Sequence, residues 1–151
     1  MTVTLAVIVL VTSGTAAGVL FSVALSVVPA FQALPPDRYV ELHKLIGRRY
    51  DHVMPPTVAI AVAADVVLAV IAPGAAAPVL FGCAAAAGAG VMVVSQFGNV
   101  PINRRVKRLA PGAVPDGWPD PRPRWRALHL ARTSFALAAL VINACAVLAA
   151  R

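Results

Sequence analysis

Charged side chains are absent from three long stretches of the chain. No Asp, Glu, Lys, Arg or His occurs in residues 1–36, 66–103 or 133–150, and residues 53–72 hold a single acid, Asp65. A helix of about 20 apolar residues crosses the hydrocarbon core of a bilayer. The pattern predicts four membrane-spanning helices, at about 3–33, 53–72, 77–103 and 125–150.

Prolines and glycines divide these stretches. The uncharged run from 66 to 103 is too long for one span, and APGAAAP at 72–78 supplies the turn residues that cut it once. Pro55 and Pro56 predict a break or restart near the beginning of the second span. The preceding stretch, DRYVELHKLIGRRYDHV, mixes apolar and charged residues at helical spacing. It is either an amphipathic helix at the interface or a cytoplasmic extension of the second span.

The composition agrees with a membrane protein. Hydrophobic residues make up 60% of the 151 residues, charged residues make up 13%, and the mean hydropathy is +0.81. These values lie far outside the usage of soluble globular domains. The length leaves room for one four-helix bundle and no separate soluble domain. The predicted fold is therefore all-α, a single integral membrane domain over residues 1–151.

The net charge of +7 is explained by topology. In a four-span chain, the connections after the first and third spans face the same side of the membrane. By the positive-inside rule, the side with the basic connections is the cytoplasm. We therefore expect a multi-pass protein of the cell membrane, with both termini extracytoplasmic and no binding of nucleic acid. The basic residues of the two connections are Arg38, Lys44, Arg48, Arg49, Arg104, Arg105, Lys107, Arg108, Arg122, Arg124 and Arg126.

Polar side chains gather near the cytoplasmic ends of three predicted helices. At about 100° per residue, the members of each set share one face of their helix. Imidazole, amide, guanidinium and indole groups are thus predicted to meet at one membrane depth and to form a polar pocket. The sets are Gln96, Asn99 and Asn103 on the third span, Trp125, His129 and Arg132 on the fourth, and His43 with Tyr50 before the second.

Each of these residues also has a structural interpretation. Asn99 and Asn103 suit a helix cap, and His43 and His129 suit the membrane interface. Arg132 suits a side chain that snorkels toward that interface. Spacing alone leaves these alternatives open beside the pocket.

Asp65 differs from the other polar residues because it lies about ten residues inside an apolar span. An ionised carboxylate near mid-membrane costs several kcal/mol unless it is paired or protonated. We expect Asp65 to be either a functional residue or a neutral acid that is hydrogen-bonded to a neighbouring helix.

Metal binding is a further possibility that the histidines raise. The three histidines, His43, His52 and His129, have no close ligand pair such as HxxxH. We therefore expect no metal and no other cofactor, and keep a metal-dependent membrane oxidase as an alternative.

Several short motifs resemble one family of small membrane proteins. They are VVPAF at the end of the first span, RRYDHVMPP, FGNVPINRRV and the later segment W…RW…H…R. Together they cover nearly the whole chain, and NVPIN at 99–103 is the most specific of them. The chain resembles the family that contains the anthrone oxygenases, four-span membrane proteins of aromatic polyketide pathways.

This resemblance implies an enzyme that oxidises an anthrone to an anthraquinone with dioxygen and without a cofactor. An anthrone is acidic at its benzylic carbon because its anion is an extended aromatic phenolate, so one general base suffices. His129 is the candidate base and His43 is the competing one. The candidate donors to the phenolate oxygen are Asn99, Asn103 and Arg132, and the candidate substrate contacts are Trp125, Tyr50 and Gln96.

Two interpretations of function therefore remain beside the metal-dependent oxidase. In the first, the partners are a hydrophobic aromatic small molecule and dioxygen within the bilayer. In the second, the protein is not an enzyme but binds or carries a small molecule, or assembles with another chain. The many small residues of the spans are consistent with packing against a second copy, so a homo-oligomer is possible.

Overall fold

The protein folds as four long helices, described here from a computed structural model that covers residues 2–110, 114–115 and 117–151. Each helix is long and apolar enough to cross a membrane, as the sequence predicts, and the described residues form no strand. The fold is therefore an all-α integral membrane bundle. The helices are α1 (Thr2–Ala33), α2 (Pro36–Ile71), α3 (Ala76–Arg108) and α4 (Arg122–Ala149).

The helices form an up-and-down ring. Each helix packs mainly against its two neighbours in the ring, and α4 closes it against α1. The α2–α3 connection is the predicted turn, and Gly74 takes φ +75° there, a backbone conformation that suits glycine. The connections α1–α2 and α3–α4 lie together at the other end. Since most of the Lys and Arg residues lie there, we call it the basic end.

Small residues dominate the contacts between the helices. Alanines occupy many of the buried positions in all four spans, so the backbones approach closely, as expected in lipid. At the middle of the bundle, a Cβ added to Gly88 of α3 would lie 2.6 Å from Val62 of α2. Large apolar side chains face outward instead, among them Val7, Val11 and Val70. This inverted distribution is typical of a bundle surrounded by hydrocarbon.

The predicted break at Pro55 and Pro56 is wrong. Helix α2 runs without interruption from Pro36 to Ile71 and contains both prolines. The stretch before them is therefore an extension of the second span, which was one of the two predicted alternatives. Tyr39, Val40 and His43 in this extension are buried against the other helices, and this packing offsets the hydrogen bonds that the prolines remove.

Two short π-helical turns interrupt α1 and α3 near the basic end. They comprise Val23–Val27 and Ser95–Asn99. In each turn the last hydrogen bond comes from the residue directly before a proline: Val28 donates to Val23 O, and Val100 donates to Ser95 O. Because the prolines that follow have no N–H group, the wider turn fits the place where the α-helical ladder is already incomplete.

Candidate functional site

A cavity of about 360 Å³ lies between the four helices at the basic end. Its walls are mainly apolar, with Leu20 and Val23 from α1, Met54 and Val58 from α2, and Val91 from α3. Both π-helical turns contribute to the walls. The polar side chains that line it are His43, Tyr50, Asp51, Ser95, Gln96, Asn103, Trp125 and Arg132.

Three of these polar residues form one hydrogen-bonded unit. Trp125 Nε1 donates to Asn103 Oδ1 at 2.9 Å, and His43 Nε2 lies 3.2 Å from the same oxygen. An indole N–H only donates, so this Asn103 atom must be the carbonyl oxygen, and His43 Nε2 must carry a proton to bond it. The neutral His43 ring then keeps its lone pair on Nδ1. That atom is buried, and it has no hydrogen-bond partner among the described residues.

Aromatic rings hold this unit in place. Phe31 of α1 stacks on the His43 ring with centroids 5.3 Å apart, and Tyr39 meets the same ring edge-on at 5.3 Å. On the other side, Trp125 stacks on His129 at 5.2 Å and 11°. Such contacts fix ring orientation as well as burying apolar area. His43 is therefore positioned by three helices besides its own: α1, α3 and α4.

His129 lies behind this unit and does not line the cavity. It is fully buried, and both ring nitrogens have partners: Nε2 lies 3.0 Å from Leu20 O, and Nδ1 accepts from Arg132. A backbone carbonyl only accepts, so Nε2 carries the proton and Nδ1 carries the lone pair. The Arg132 guanidinium occupies that lone pair.

Asn99 is also separated from the cavity. Its side chain is fully buried, and Nδ2 donates to Trp125 O at 3.2 Å, which joins α3 to α4. Neither Asn99 nor Asn103 acts as a helix cap. The predicted shared face with Gln96 assumed 3.6 residues per turn, but the π-helical turn from Ser95 needs more residues per turn. The turn therefore leaves Gln96 and Asn103 on the cavity and rotates Asn99 into the core.

Asp65 lies far from the cavity, near the middle of the bundle. It is buried with 1% of its surface exposed, and Asn143 of α4 donates to it at 3.4 Å. This is the predicted hydrogen bond to another helix. His52 is exposed, with Nδ1 at 2.9 Å from Arg48 O of its own helix. The described part of the chain contains no group of three His, Cys, Asp or Glu residues suited to a metal ion.

Sequence reasoning missed Asp51 and Phe31. Asp51 lines the cavity and pairs with Lys107 of α3, and Phe31 covers the His43 ring. The signal for Asp51 was its i, i+8 spacing from His43, which puts both residues on one face of the helix. The sequence analysis paired His43 with Tyr50 and passed over Asp51.

Arg122 and Asp120 form a further polar contact at the basic end. Arg122 Nη1 donates to Phe31 O at 3.0 Å and to Leu34 O at 2.6 Å, which ties α4 to the end of α1. Asp120 accepts from Arg122 Nε at 2.8 Å and 2.9 Å and keeps the guanidinium in this position. These hydrogen bonds from Arg122 hold the pKa of Asp120 below its ordinary value.

Comparison with known proteins gives one match. No curated protein and no solved structure matches the chain. A family model described as anthrone oxygenase matches residues 43–142. The matched segment runs from His43 through the cavity residues of α2, α3 and α4, and it covers more than half of the 151 residues. The chain therefore belongs to the anthrone oxygenase family.

Proposed function

We propose that the protein is a membrane-bound oxygenase that oxidises an anthrone of aromatic polyketide origin with dioxygen and without a cofactor. Membership of the anthrone oxygenase family supports the reaction class. The observation that carries the proposal is His43: it lines an apolar cavity, its Nε2 proton is fixed by Asn103, and its Nδ1 has no partner among the described residues.

The reaction requires little from the protein beyond one base. Removal of a benzylic proton gives a carbanion that is also an aromatic phenolate. This anion transfers one electron to dioxygen, and the superoxide formed combines with the carbon radical to give a peroxide anion. The protonated base returns its proton to this anion, which gives the hydroperoxide. Loss of water from the hydroperoxide leaves the ketone. One oxygen atom enters the product and the other leaves as water, so that CH₂ and O₂ become C=O and H₂O.

His43 suits the role of the base. A general base needs a free lone pair at the substrate, and a positioned base contributes about 10²- to 10⁴-fold to the rate. The Asn103 and Trp125 unit selects the tautomer in which the free lone pair of His43 lies on Nδ1. His129 is less suited, because Arg132 already occupies its lone pair and its ring does not line the cavity.

The remaining polar groups suit the oxygen on which negative charge develops. Gln96, Asn103 and Arg132, which carry amide and guanidinium groups, line the same cavity. Donors that are fixed in a dry site stabilise such an oxyanion more than water does. Trp125 and Tyr50 also line the cavity, and their aromatic rings suit contact with a flat substrate. The cavity volume also lies at the lower end of the range for ligand pockets, about 300–1,000 Å³.

The proposal is tested by following the oxidation of 1,8-dihydroxyanthrone under air, with the protein in detergent and the spontaneous reaction as blank. We expect a rate above blank and a loss of about 10²- to 10⁴-fold in His43→Gln. His52→Gln is the matched control, since His52 is exposed on the same helix. Full activity in His43→Gln would exclude this residue as the base. A parent protein that binds the anthrone without turnover would support a non-enzymatic binder instead.

A further inference from the structure

The cavity contains a cation whose partners are all neutral. Arg132 lines the cavity. It contacts His129 Nδ1 through Nε at 3.1 Å and through Nη2 at 2.8 Å, and it contacts Ser95 Oγ through Nη1 at 3.5 Å. An imidazole that donates to Leu20 O and accepts from Arg132 is uncharged. These contacts use three of the five guanidinium N–H groups, and none of them brings a negative charge to Arg132.

The described carboxylates are engaged elsewhere. Asp51, a described acid that lines the cavity, lies near enough for its charge to act on Arg132. It forms an ion pair with Lys107, however, so this pair adds no net charge. Asp65 is bonded to Asn143 and lies away from the cavity. The remaining described acids are at the surface: Asp37 in the first turn of α2, Glu41 with Arg38, and Asp120 with Arg122.

An uncompensated cation in an apolar cavity is unfavourable unless an anion joins it. The guanidinium is planar, and its parallel N–H groups match the two oxygens of a carboxylate or the oxygen of a phenolate. Two such N–H groups remain for an occupant of the cavity. The apolar lining of the cavity, which includes Leu20, Val23 and Val91, suits an apolar ring system.

We propose that the cavity binds flat aromatic acids, in which a carboxylate or an ionised phenol pairs with Arg132 while the ring system fills the apolar part. This inference rests on the proposed function only in taking the cavity as the substrate site. It narrows the substrate class to anthrones that carry an ionised oxygen acid before the reaction begins.

A matched pair of probes tests this inference by binding alone. Anthraquinone-2-carboxylate and anthraquinone-2-carboxamide share the ring system and differ in charge. Binding is followed by titration calorimetry with the protein in a zwitterionic detergent. We expect the parent to prefer the carboxylate. Arg132→Gln should weaken carboxylate binding about 10- to 100-fold, the effect of one charged hydrogen-bond partner, and leave carboxamide binding unchanged.

Arg126→Gln is the matched control, because Arg126 is exposed on the same helix and its replacement removes the same charge. An equal affinity of the parent for both probes would overturn the inference, as would an equal loss in Arg126→Gln. If Arg132→Gln binds neither probe, Arg132→Lys replaces it. The lysine variant keeps the charge and should still prefer the carboxylate, and equal affinities there would also overturn the inference.

The binding result separates this inference from the proposed reaction. A parent that prefers the carboxylate but shows no oxidation contradicts the oxygenase alone. A parent that oxidises an anthrone but binds both probes equally contradicts the pairing with Arg132 alone.

Discussion

Two nitrogen atoms of Arg132 contact Nδ1 of the His129 imidazole, Nε at 3.1 Å and Nη2 at 2.8 Å. The two residues are one turn apart on α4. On its other side the His129 ring donates to Leu20 O, next to the π-helical turn of α1. His129 therefore links the position of Arg132 in the cavity to the packing of α1 against α4.

We predict that His129 is a positioning residue. His129→Leu should lower the free energy of unfolding by about 1–3 kcal/mol, because buried donors on Arg132 lose their acceptor. The thermal unfolding midpoint measures this effect, with His52→Leu as the matched control at an exposed histidine. Unchanged stability together with a 10²-fold or larger loss of turnover at equal substrate affinity would instead identify His129 as the base.

The pair of Asp120 and Arg122 predicts a pH dependence. Asp120 has a lowered pKa in the folded protein, so its carboxylate stabilises the fold at pH values above its ordinary pKa, and this contribution is lost as the pH falls through the folded pKa. The unfolding midpoint of Asp120→Asn should therefore lie below that of the parent at about pH 6, and the difference should shrink as the pH falls below the ordinary Asp pKa of about 3.9. A difference between the two midpoints that does not change with pH would show that the charge of Asp120 does not contribute to stability.

The number and type of the helices followed from the sequence because twenty-residue apolar runs have few alternatives. The turn around Gly74 was predicted because the uncharged run is too long for one span. The burial of Asp65 was predicted because this residue lies inside an apolar span. The register between helices was not, since it depends on how small residues interlock across the bundle. His43 and Asn103 are 60 residues apart in the chain, and no local sequence pattern predicts that His43 Nε2 lies 3.2 Å from Asn103 Oδ1.

The π-helical turns account for most of the difference between the predicted and observed site. A single wide turn at Ser95–Asn99 moves Asn99 from the cavity to the core and leaves Gln96 on the cavity. The positions of the prolines indicated irregular helices. They did not distinguish a helix that ends at the proline from a helix that continues through a wider turn. At Pro55 the same type of residue lies within an unbroken helix.

The orientation in the membrane remains a prediction of the charge pattern. Eleven Lys and Arg residues, four after the α1–α2 connection and seven on either side of the α3–α4 connection, lie toward the basic end, and none lies in the 72–78 turn. In a Cys83→Ala, Cys145→Ala background, a cysteine at Ala76 should react with an impermeant maleimide added to intact cells. A cysteine at Pro119 should react only after the cells are opened. The reverse labelling would invert the topology.

A second polar contact, between Asp65 and Asn143, joins helices that are not neighbours in the ring. Asn143 Nδ2 on α4 reaches Asp65 Oδ2 on α2 at 3.4 Å, and both side chains are buried. Asp65 Oδ1 and Asn143 Oδ1 have no hydrogen-bond partner among the described residues. A protonated Asp65 would satisfy this arrangement, since its O–H group could donate to the Asn143 carbonyl while its other oxygen accepts.

We predict that this pair contributes to stability through hydrogen bonding and not through charge. Asp65→Asn keeps a donor and an acceptor, so it should unfold with the parent in detergent. Asp65→Leu leaves the buried Asn143 amide without a partner and should cost about 1–3 kcal/mol. The double variant Asp65→Leu, Asn143→Leu removes both polar groups and should regain most of that loss, because two apolar side chains can replace a buried polar pair. Thermal unfolding of the four proteins, with turnover measured alongside, checks these expectations. If Asp65→Leu unfolds with the parent, the contact does not hold α2 against α4. If Asp65→Asn is as unstable as Asp65→Leu, the carboxyl group has a partner that an amide cannot replace.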